Sequence, residues 1–522
     1  MLNLQNIRDA KQKLSAYDTT SFLDSSNSFR FYLLKLKVEN FRHISGLEVE
    51  FDHPVTVIAG MNKVGKTSAL LLIACSFYNF KKYDSTKPET LLRRHTWRDV
   101  LQFTHYESTT RDYSYELSWR VGTGARSGQG KRLSTSQAWT GLGKYSSDLD
   151  RQNAQIRDRE VRLIDLERLL PARNFSNSLR RKIDATTGVR LSADIEKAFA
   201  YILDIPHEIK ISRIGSHVNK LAYLVSYAGE PYSSYNAASS EESLINILVD
   251  IIDTPADSLI LIDEVEAGFH PSAQRKLADV IQYIAWQQKK QFILTTHSPS
   301  FLAALPQKSR KFVDIAEDGS YETINSISVN AAFSKMDSKA YPLINLYCED
   351  TESEFIINNI LVEINKTKKN FSRLINIIKS GPINEVKNDY MRHKRNYSQM
   401  KFKIGYCCVF DGDYRNDPAY SSFHDNPSEY SFFLYPFKAP ERFLVQAYIT
   451  ANPNRQLQVA LGNIDHHSLF QEMVTLGLCT DKSQARQVSW DAFKATSEYA
   501  TLETSIKSFL FKTVTDFSIK SD

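Results

Sequence analysis

Hydrophobic positions along this chain fall into two blocks, each opening with short strands. In the first block, Tyr32-Leu33-Leu34-Lys35-Leu36-Lys37-Val38-Glu39-Asn40-Phe41-Arg42 reads as an edge strand, and Leu47-Glu48-Val49-Glu50-Phe51 alternates as its hairpin partner. The β-branched run Val55-Thr56-Val57-Ile58-Ala59 predicts a third strand, and Ala69-Leu70-Leu71-Leu72-Ile73-Ala74 a helix of good helix formers. Tyr113 to Val121 alternates again and leads into a Gly-, Ser-, Arg- and Lys-rich stretch, Gly122 to Ser136, which reads as a flexible loop. Residues from about 150 to 225 carry a charged helical pattern, broken at Leu170-Pro171-Ala172-Arg173-Asn174, and predict an inserted helical arm. Leu259-Ile260-Leu261-Ile262 and Gln291-Phe292-Ile293-Leu294-Thr295-Thr296 are continuous apolar runs, the mark of parallel strands buried on both faces.

After Tyr341-Pro342 the pattern begins again. Leu343 to Cys348, Leu374 to Ile378 and Ile404 to Phe410 predict three more strands, with a helix-like segment from Glu354 to Leu361. Residues beyond about 450 read as mostly helical, and residues 1–30 as a polar lead-in helix or loose arm. The expected fold class is α/β, divided into 1–340 with a helical insertion at about 150–225, 341–450, and a helical segment 451–522.

Between the third strand and its helix lies Gly60-Met61-Asn62-Lys63-Val64-Gly65-Lys66-Thr67-Ser68. Gly60 and Gly65 permit a turn tight enough to aim successive N–H groups at phosphate oxygens, and the helix adds its positive end. Nucleotide contacts are expected from Asn62, Gly65, Lys66, Thr67 and Ser68, with Lys66 on the β/γ-phosphates and the Thr67 hydroxyl on Mg²⁺. The strand ending in Asp263-Glu264 delivers two carboxylates to the carboxyl edge of a sheet, where ligands bind. Asp263 is the expected Mg²⁺ partner and Glu264 the group that polarises the attacking water. His297 ends the next strand; alone it would read as a core or capping histidine, but it follows an Asp-Glu strand.

Composition narrows this reading without changing it. Hydrophobic content of 42% with 24% charged residues is that of a globular protein, and no window approaches a membrane span. Five scattered cysteines show no zinc spacing, and the polar N-terminus does not resemble a signal peptide, so a cytoplasmic location is expected. A net charge of +5 is a mild pointer to nucleic acid, which local clustering has to support.

Together these motifs resemble the ABC-type ATPase head shared by RecF, the SMC proteins and the overcoming-lysogenization-defect (OLD) nucleases. The strand ending Val38-Glu39-Asn40-Phe41-Arg42 is similar to the opening signature of that head, Gly60 to Thr67 to its Walker A motif, Leu259 to Glu264 to its Walker B motif, and His297 to its switch histidine. Asp263-Glu264-Val265-Glu266-Ala267-Gly268-Phe269-His270-Pro271 is similar to the form typical of the OLD-like branch. The resemblance implies ATP with Mg²⁺ as cofactors and pairing of heads in a homodimer or higher homo-oligomer. The family's Ser-Gly-Glu signature corresponds to Ala238-Ser239-Ser240-Glu241-Glu242, which has no glycine, so slow turnover or ATP acting as a sensed ligand stays open.

In the second block the predicted strands put Glu349, Gly381, Asp411 and Asp413 at their carboxyl ends. If the strands are parallel, the acids meet at one edge. Converging carboxylates call for a divalent cation, and hard oxygen ligands favour Mg²⁺ or Mn²⁺, a set suited to phosphodiester cleavage. Glu352 and Glu354 are further candidates. Taken alone, Asp411-Gly412-Asp413 could equally be an exposed turn. Lys379, Lys387, Arg392, Lys394, Arg395, Lys401 and Lys403 cluster between the strands and could follow a phosphate backbone.

The order Glu, Gly, Asp-x-Asp resembles the TOPRIM domain of topoisomerases, primases and OLD nucleases, with Glu349-Asp350 standing where the family has Glu-Gly. The resemblance also implies Lys438 as a group that stabilises the transition state. It points to an ATP-regulated, metal-dependent DNA endonuclease of the OLD family, Gabija-like, in a setting of antiphage defence. DNA, a defence-system partner protein or retron RNA/msDNA are the implied partners, and no membrane is. The alternative is a sensor or scaffold ATPase whose TOPRIM-like domain is inactive or binds a partner.

Overall fold

The computed structural model describes residues 3–17, 29–101, 111–135, 139–140, 142, 156–171, 174, 188–215, 220–227, 229–315, 319–336, 342–368, 370–400, 403–424 and 428–520. The chain forms two compact units, Met1–Ala332 and Phe333–Asp522. The division falls a few residues before the expected change at Tyr341, inside the helix Val329–Met336.

The centre of the first unit is a seven-stranded sheet in the order Tyr321–Asn325, Arg310–Ile315, Val55–Gly60, Gln291–Thr296, Leu259–Ile262, Ile156–Ile164, Phe77–Lys82. Only the pairing of Tyr321–Asn325 with Arg310–Ile315 is antiparallel; the other neighbours run parallel. Val55–Gly60, Leu259–Ile262 and Gln291–Thr296 are buried at every position, as their apolar runs demand. Such strands have no solvent face, and helices cover them: Lys66–Cys75, Ser239–Asp253 and Pro271–Gln288 each bury an apolar side.

An antiparallel five-stranded sheet starts from Ile44–Glu50 and Phe31–Phe41, paired as their alternation predicts, and continues through Tyr113–Val121. The glycine-rich stretch expected as a loop is its next strand, Gly124–Arg132, a hairpin partner of Tyr113–Val121. The glycines serve packing: a Cβ on Gly128 would lie 2.3 Å from the Leu142 carbonyl oxygen, and one on Gly130 would lie 2.4 Å from the Tyr115 ring. Only Ser136 of that stretch lies outside the described residues.

The helical arm expected at about 150–225 is also corrected. Among the described residues, Ile156–Ile164 is a strand of the central sheet, and Ile209–Gly215 and Lys220–Tyr227 pair in a four-stranded antiparallel sheet; Ala193–Leu203 is helical. The charges that imitate a helix surface are buried and paired instead. Arg162 Nη1 donates to Asp250 at 3.0 Å, and Arg159 donates from Nη1 to Gln291 Oε1 at 3.1 Å and from Nε to the Asp257 carbonyl at 2.9 Å. The basic triplet Arg180-Arg181-Lys182, which reads as a solvated helix face more readily than as a phosphate contact, lies outside the described residues.

The second unit is built on a parallel sheet in the order Ile375–Lys379, Ile344–Cys348, Gly405–Phe410, Ser431–Phe433. Residues expected as a separate helical segment belong to this unit. Phe517, on the final helix Ser497–Ile519, packs against Gly405 where a Cβ would lie 2.6 Å from its ring, and against Tyr397, Tyr406 and Tyr430. No helix among the described residues is long and apolar enough to cross a membrane.

Candidate functional site

The loop between Val55–Gly60 and the helix Lys66–Cys75 forms a cradle. Gly65 caps that helix at φ 89°, a left-handed conformation, and a Cβ there would also collide with the Ile44 side chain at 2.5 Å. The Lys66 ammonium is turned back on the loop, donating to the carbonyls of Gly60 at 3.0 Å and Met61 at 2.9 Å. Burial lowers its pKa to about 8, against the opposing pull of Asp263, Glu264 and Glu266. A buried cation aimed across a loop of backbone N–H groups fits a polyphosphate. Ser68 is buried at the helix start, while Asn62 and Thr67 are exposed on the rim.

Asp263 is held at both carboxylate oxygens: Thr67 Oγ1 donates to Oδ2 at 2.8 Å and Thr295 Oγ1 to Oδ1 at 2.6 Å. Thr67 and Asp263, the two groups expected to hold Mg²⁺, therefore sit side by side. The following Glu264 lies at φ 45°, and its N–H donates to Thr295 Oγ1 at 2.8 Å. Arg168, fully buried, donates to the carbonyls of Asp263 at 3.0 Å and Glu264 at 2.5 Å and so clamps the strand end from behind. Glu266 accepts from Thr296 Oγ1 at 2.7 Å and from the His297 N–H at 2.5 Å, which ties the two strand ends together. Burial, then Lys66, lower the His297 pKa.

Beside Thr67 and Asp263 opens a cavity of about 300 Å³ whose wall includes Lys82, His95, Asp99 and Asp165. Lys82 is paired there with Asp165 at 2.9 Å and Glu167 at 3.4 Å. Ser239 and Ser240 open the helix Ser239–Asp253, so the glycine-less signature still stands at the positive end of a helix.

In the second unit, parallel pairing puts Glu349, Asp411 and Asp413 beyond the carboxyl ends of adjacent strands. Burial and the charges of Asp350 and Asp413 raise the Glu349 pKa to about 7. Its Oε2 is buried with no hydrogen-bond partner. Asp411 accepts from Ser353 Oγ, and burial, with Glu349, Asp350 and Asp413 around it, raises its pKa strongly. An orphaned carboxylate oxygen among mutually repelling acids fits a divalent cation.

Other candidates are already engaged. Asp350 caps the helix Thr351–Asn365, accepting from the N–H groups of Glu352 and Ser353 at 2.9 and 3.1 Å. Glu352 is gripped by Arg486 at 2.6 and 2.5 Å, and Glu354 pairs with Lys379 at 2.9 Å. Of the basic cluster, Lys387 donates to the Ala419 carbonyl at 3.0 Å, Arg392 to Asp389 at 3.2 Å and Lys394 to Glu429 at 2.5 Å, while Arg395 is exposed. Lys403 lies over the Tyr397 ring, and Lys401 is outside the described residues. The exposed Lys438 has its backbone N against Gly412, the residue between the two aspartates. Nearby, Arg415 lies over Phe437 at 4.5 Å in a groove of about 520 Å³ that Phe432, Phe509 and Lys512 also line.

Sequence reasoning missed Thr295, Arg168, Glu266 and Ser353. A hydroxyl inside an otherwise apolar strand was a signal for Thr295; Arg168 and Ser353 had none, because their partners are remote in sequence.

Residues 55–303 match the family model described as "AAA domain, putative AbiEii toxin, Type IV TA system". Among solved structures, the chain is similar to the SMC head domain from Thermotoga maritima at 12% identity, covering 56% of this chain and 98% of that one with a TM-score of 0.34. It is also similar to an Smc head domain with an extended coiled coil bound to the C-terminal domain of ScpA, from Pyrococcus furiosus, at 11% identity, covering 56% and 96% of the two chains with a TM-score of 0.37. With the loop geometry, the family match makes the first unit an ATPase-type P-loop domain that takes a nucleotide.

Proposed function

We propose that the chain is an ATP-regulated, metal-dependent DNA endonuclease of the OLD type, in which an ABC-type head controls a TOPRIM nuclease. The observation that carries the nuclease half is the gathering of Glu349, Asp411 and Asp413 at one sheet edge, with the Glu349 and Asp411 pKa values raised and an unpartnered Glu349 oxygen.

In the head, Lys66 would exchange its two loop carbonyls for phosphate oxygens. Glu264 would orient the attacking water, while the Thr295 hydroxyl and Arg168 hold the strand end so that Asp263 and Glu264 keep their positions. His297, close enough to Lys66 to feel its charge, is suited to sense the terminal phosphate. In the second unit, a divalent cation would supply Lewis acidity and an activated water. Glu349, Asp411 and Asp413 are the residues to hold it, with Ser353 fixing the Asp411 rotamer. Lys438, beside the aspartate pair, could meet charge developing on the scissile phosphate. The aromatic groove with Arg415 and Lys512 offers stacking faces and positive charge to a displaced strand. Antiphage defence, with a partner protein or retron nucleic acid, is the setting that the OLD resemblance suggests, and head pairing the expected assembly.

The test is plasmid cleavage in Mg²⁺ or Mn²⁺, with and without ATP. Wild type should cut, Asp411→Asn should not, and Glu264→Gln should retain nucleotide binding while hydrolysis falls by about 100-fold or more, the scale of losing a positioned base. No cleavage under any condition would leave the second reading, a sensor ATPase with an inactive TOPRIM-like domain. The capping role of Asp350, where the TOPRIM pattern has glycine, is the observation that favours it.

A further inference from the structure

Outside the acidic edge and the phosphate loop, one group of side chains in the second unit has ligand chemistry that neither site uses. Glu441, His466 and His467 bring one carboxylate oxygen and two ring nitrogens within 4.8 Å of one another. Two imidazoles and one carboxylate leave a fourth position open, the donor set of an open zinc-type centre rather than of a Mg²⁺ site.

The scaffold holds this group in place. Glu441 lies in the first turn of the helix Pro440–Ala451 and is 3% exposed. Among the described residues its side chain is hydrogen-bonded to His467, whose Nδ1 lies 3.1 Å from Oε1. A carboxylate so buried whose side-chain contact is an exposed imidazole gains little as an ion pair. The neighbouring Arg442 donates to the carbonyls of Leu461 at 2.6 Å and Ile464 at 3.3 Å, fastening the end of the helix Arg455–Asn463 to the Glu441 helix. Asp465 then accepts from the His467 N–H at 2.9 Å, which fixes the turn presenting both histidines with ring centroids 4.0 Å apart. Zinc ligands at about 2.0–2.1 Å from a tetrahedral ion stand roughly 3.3 Å apart. Glu441 Oε1 and His467 Nδ1, 3.1 Å apart, already stand near that separation.

We propose that Glu441, His466 and His467 form a second metal centre, selective for zinc-class divalent cations and separate from the acidic cluster. His467 is close enough to feel the charges of Asp350 and Asp465, and its charge in turn reaches Glu349. A cation held here would therefore add positive potential at the acidic edge.

The experiment uses full-length protein freed of metal by chelation and titrated with Co²⁺, followed by visible absorption and then displaced with Zn²⁺. An intense ligand-field band of low coordination number is expected in wild type and in Asp411→Asn, lost in His467→Asn and in Glu441→Gln, and abolished by Zn²⁺. Thermal melting of each variant without metal verifies that it is folded. The proposal is overturned if wild type gives no such band, or if folded His467→Asn and Glu441→Gln retain it. It is equally overturned if Asp411→Asn loses the band, since the cobalt would then belong to the acidic cluster. Because the readout is a spectrum, absence of nuclease activity does not bear on it.

Discussion

At the scale of single residues, the acidic edge is a place where folding stability has been given up. Glu349, with its pKa raised to about 7 from an ordinary 4.5, keeps a proton in the folded chain that the unfolded chain releases. The contribution of this proton to stability is present below pH 4.5 and disappears as pH rises through about 7. In EDTA, Glu349→Gln should therefore melt higher than wild type above neutrality and alike below about pH 4.5, the range set by its ordinary value. Asp411, shifted the same way, adds to the slope. A melting difference independent of pH would contradict the assignment. Added Mn²⁺ should stabilise wild type above neutrality more than the glutamine variant.

At the scale of elements, the decisive feature is the Leu259–Ile262 strand and what clamps its end. Arg168 gives two hydrogen bonds to consecutive carbonyls from a fully buried position. Arg168→Met keeps the volume and removes both donors, so about 2–4 kcal/mol should be lost in urea unfolding. ATP hydrolysis should fall with it, since Glu264 at positive φ depends on that clamp. Elements such as this strand were legible because full burial leaves a continuous apolar run and the sheet edge exposes whatever follows it. The strands Ile156–Ile164 and Gly124–Arg132 were not. In one, Arg159 and Arg162 are hydrogen-bonded to Gln291 and Asp250, partners remote in sequence; in the other, glycines answer to neighbours across the sheet rather than to a turn. The acid cluster was readable from strand ends, whereas the engagement of Asp350, Glu352 and Glu354 depends on helix caps and on Arg486, which period and spacing do not encode.

At the scale of the whole molecule, each unit has its own sheet and core, and the final helix is part of the second unit's packing through Phe517. A fragment spanning 333–522 should consequently fold alone, with a cooperative unfolding transition and the divalent-cation response of the full chain. Non-cooperative melting of that fragment would refute this independence. Removing the last helix should prevent folding of the fragment, because Gly405 and three tyrosines would lose the ring they pack on.

The Lys66 ammonium, already half inclined to give up its proton near pH 8 while it rests on the loop carbonyls, has a calorimetric consequence. Phosphate restores its affinity for the proton, so nucleotide binding near that pH should draw about half a proton from the buffer. The apparent enthalpy should then differ between Tris and HEPES in proportion to their ionisation heats, and the difference should vanish in Lys66→Met. Metal binding at the acidic edge should do the reverse below neutrality, releasing protons from Glu349 and Asp411. The direction of proton flow would thus identify which site a ligand has entered.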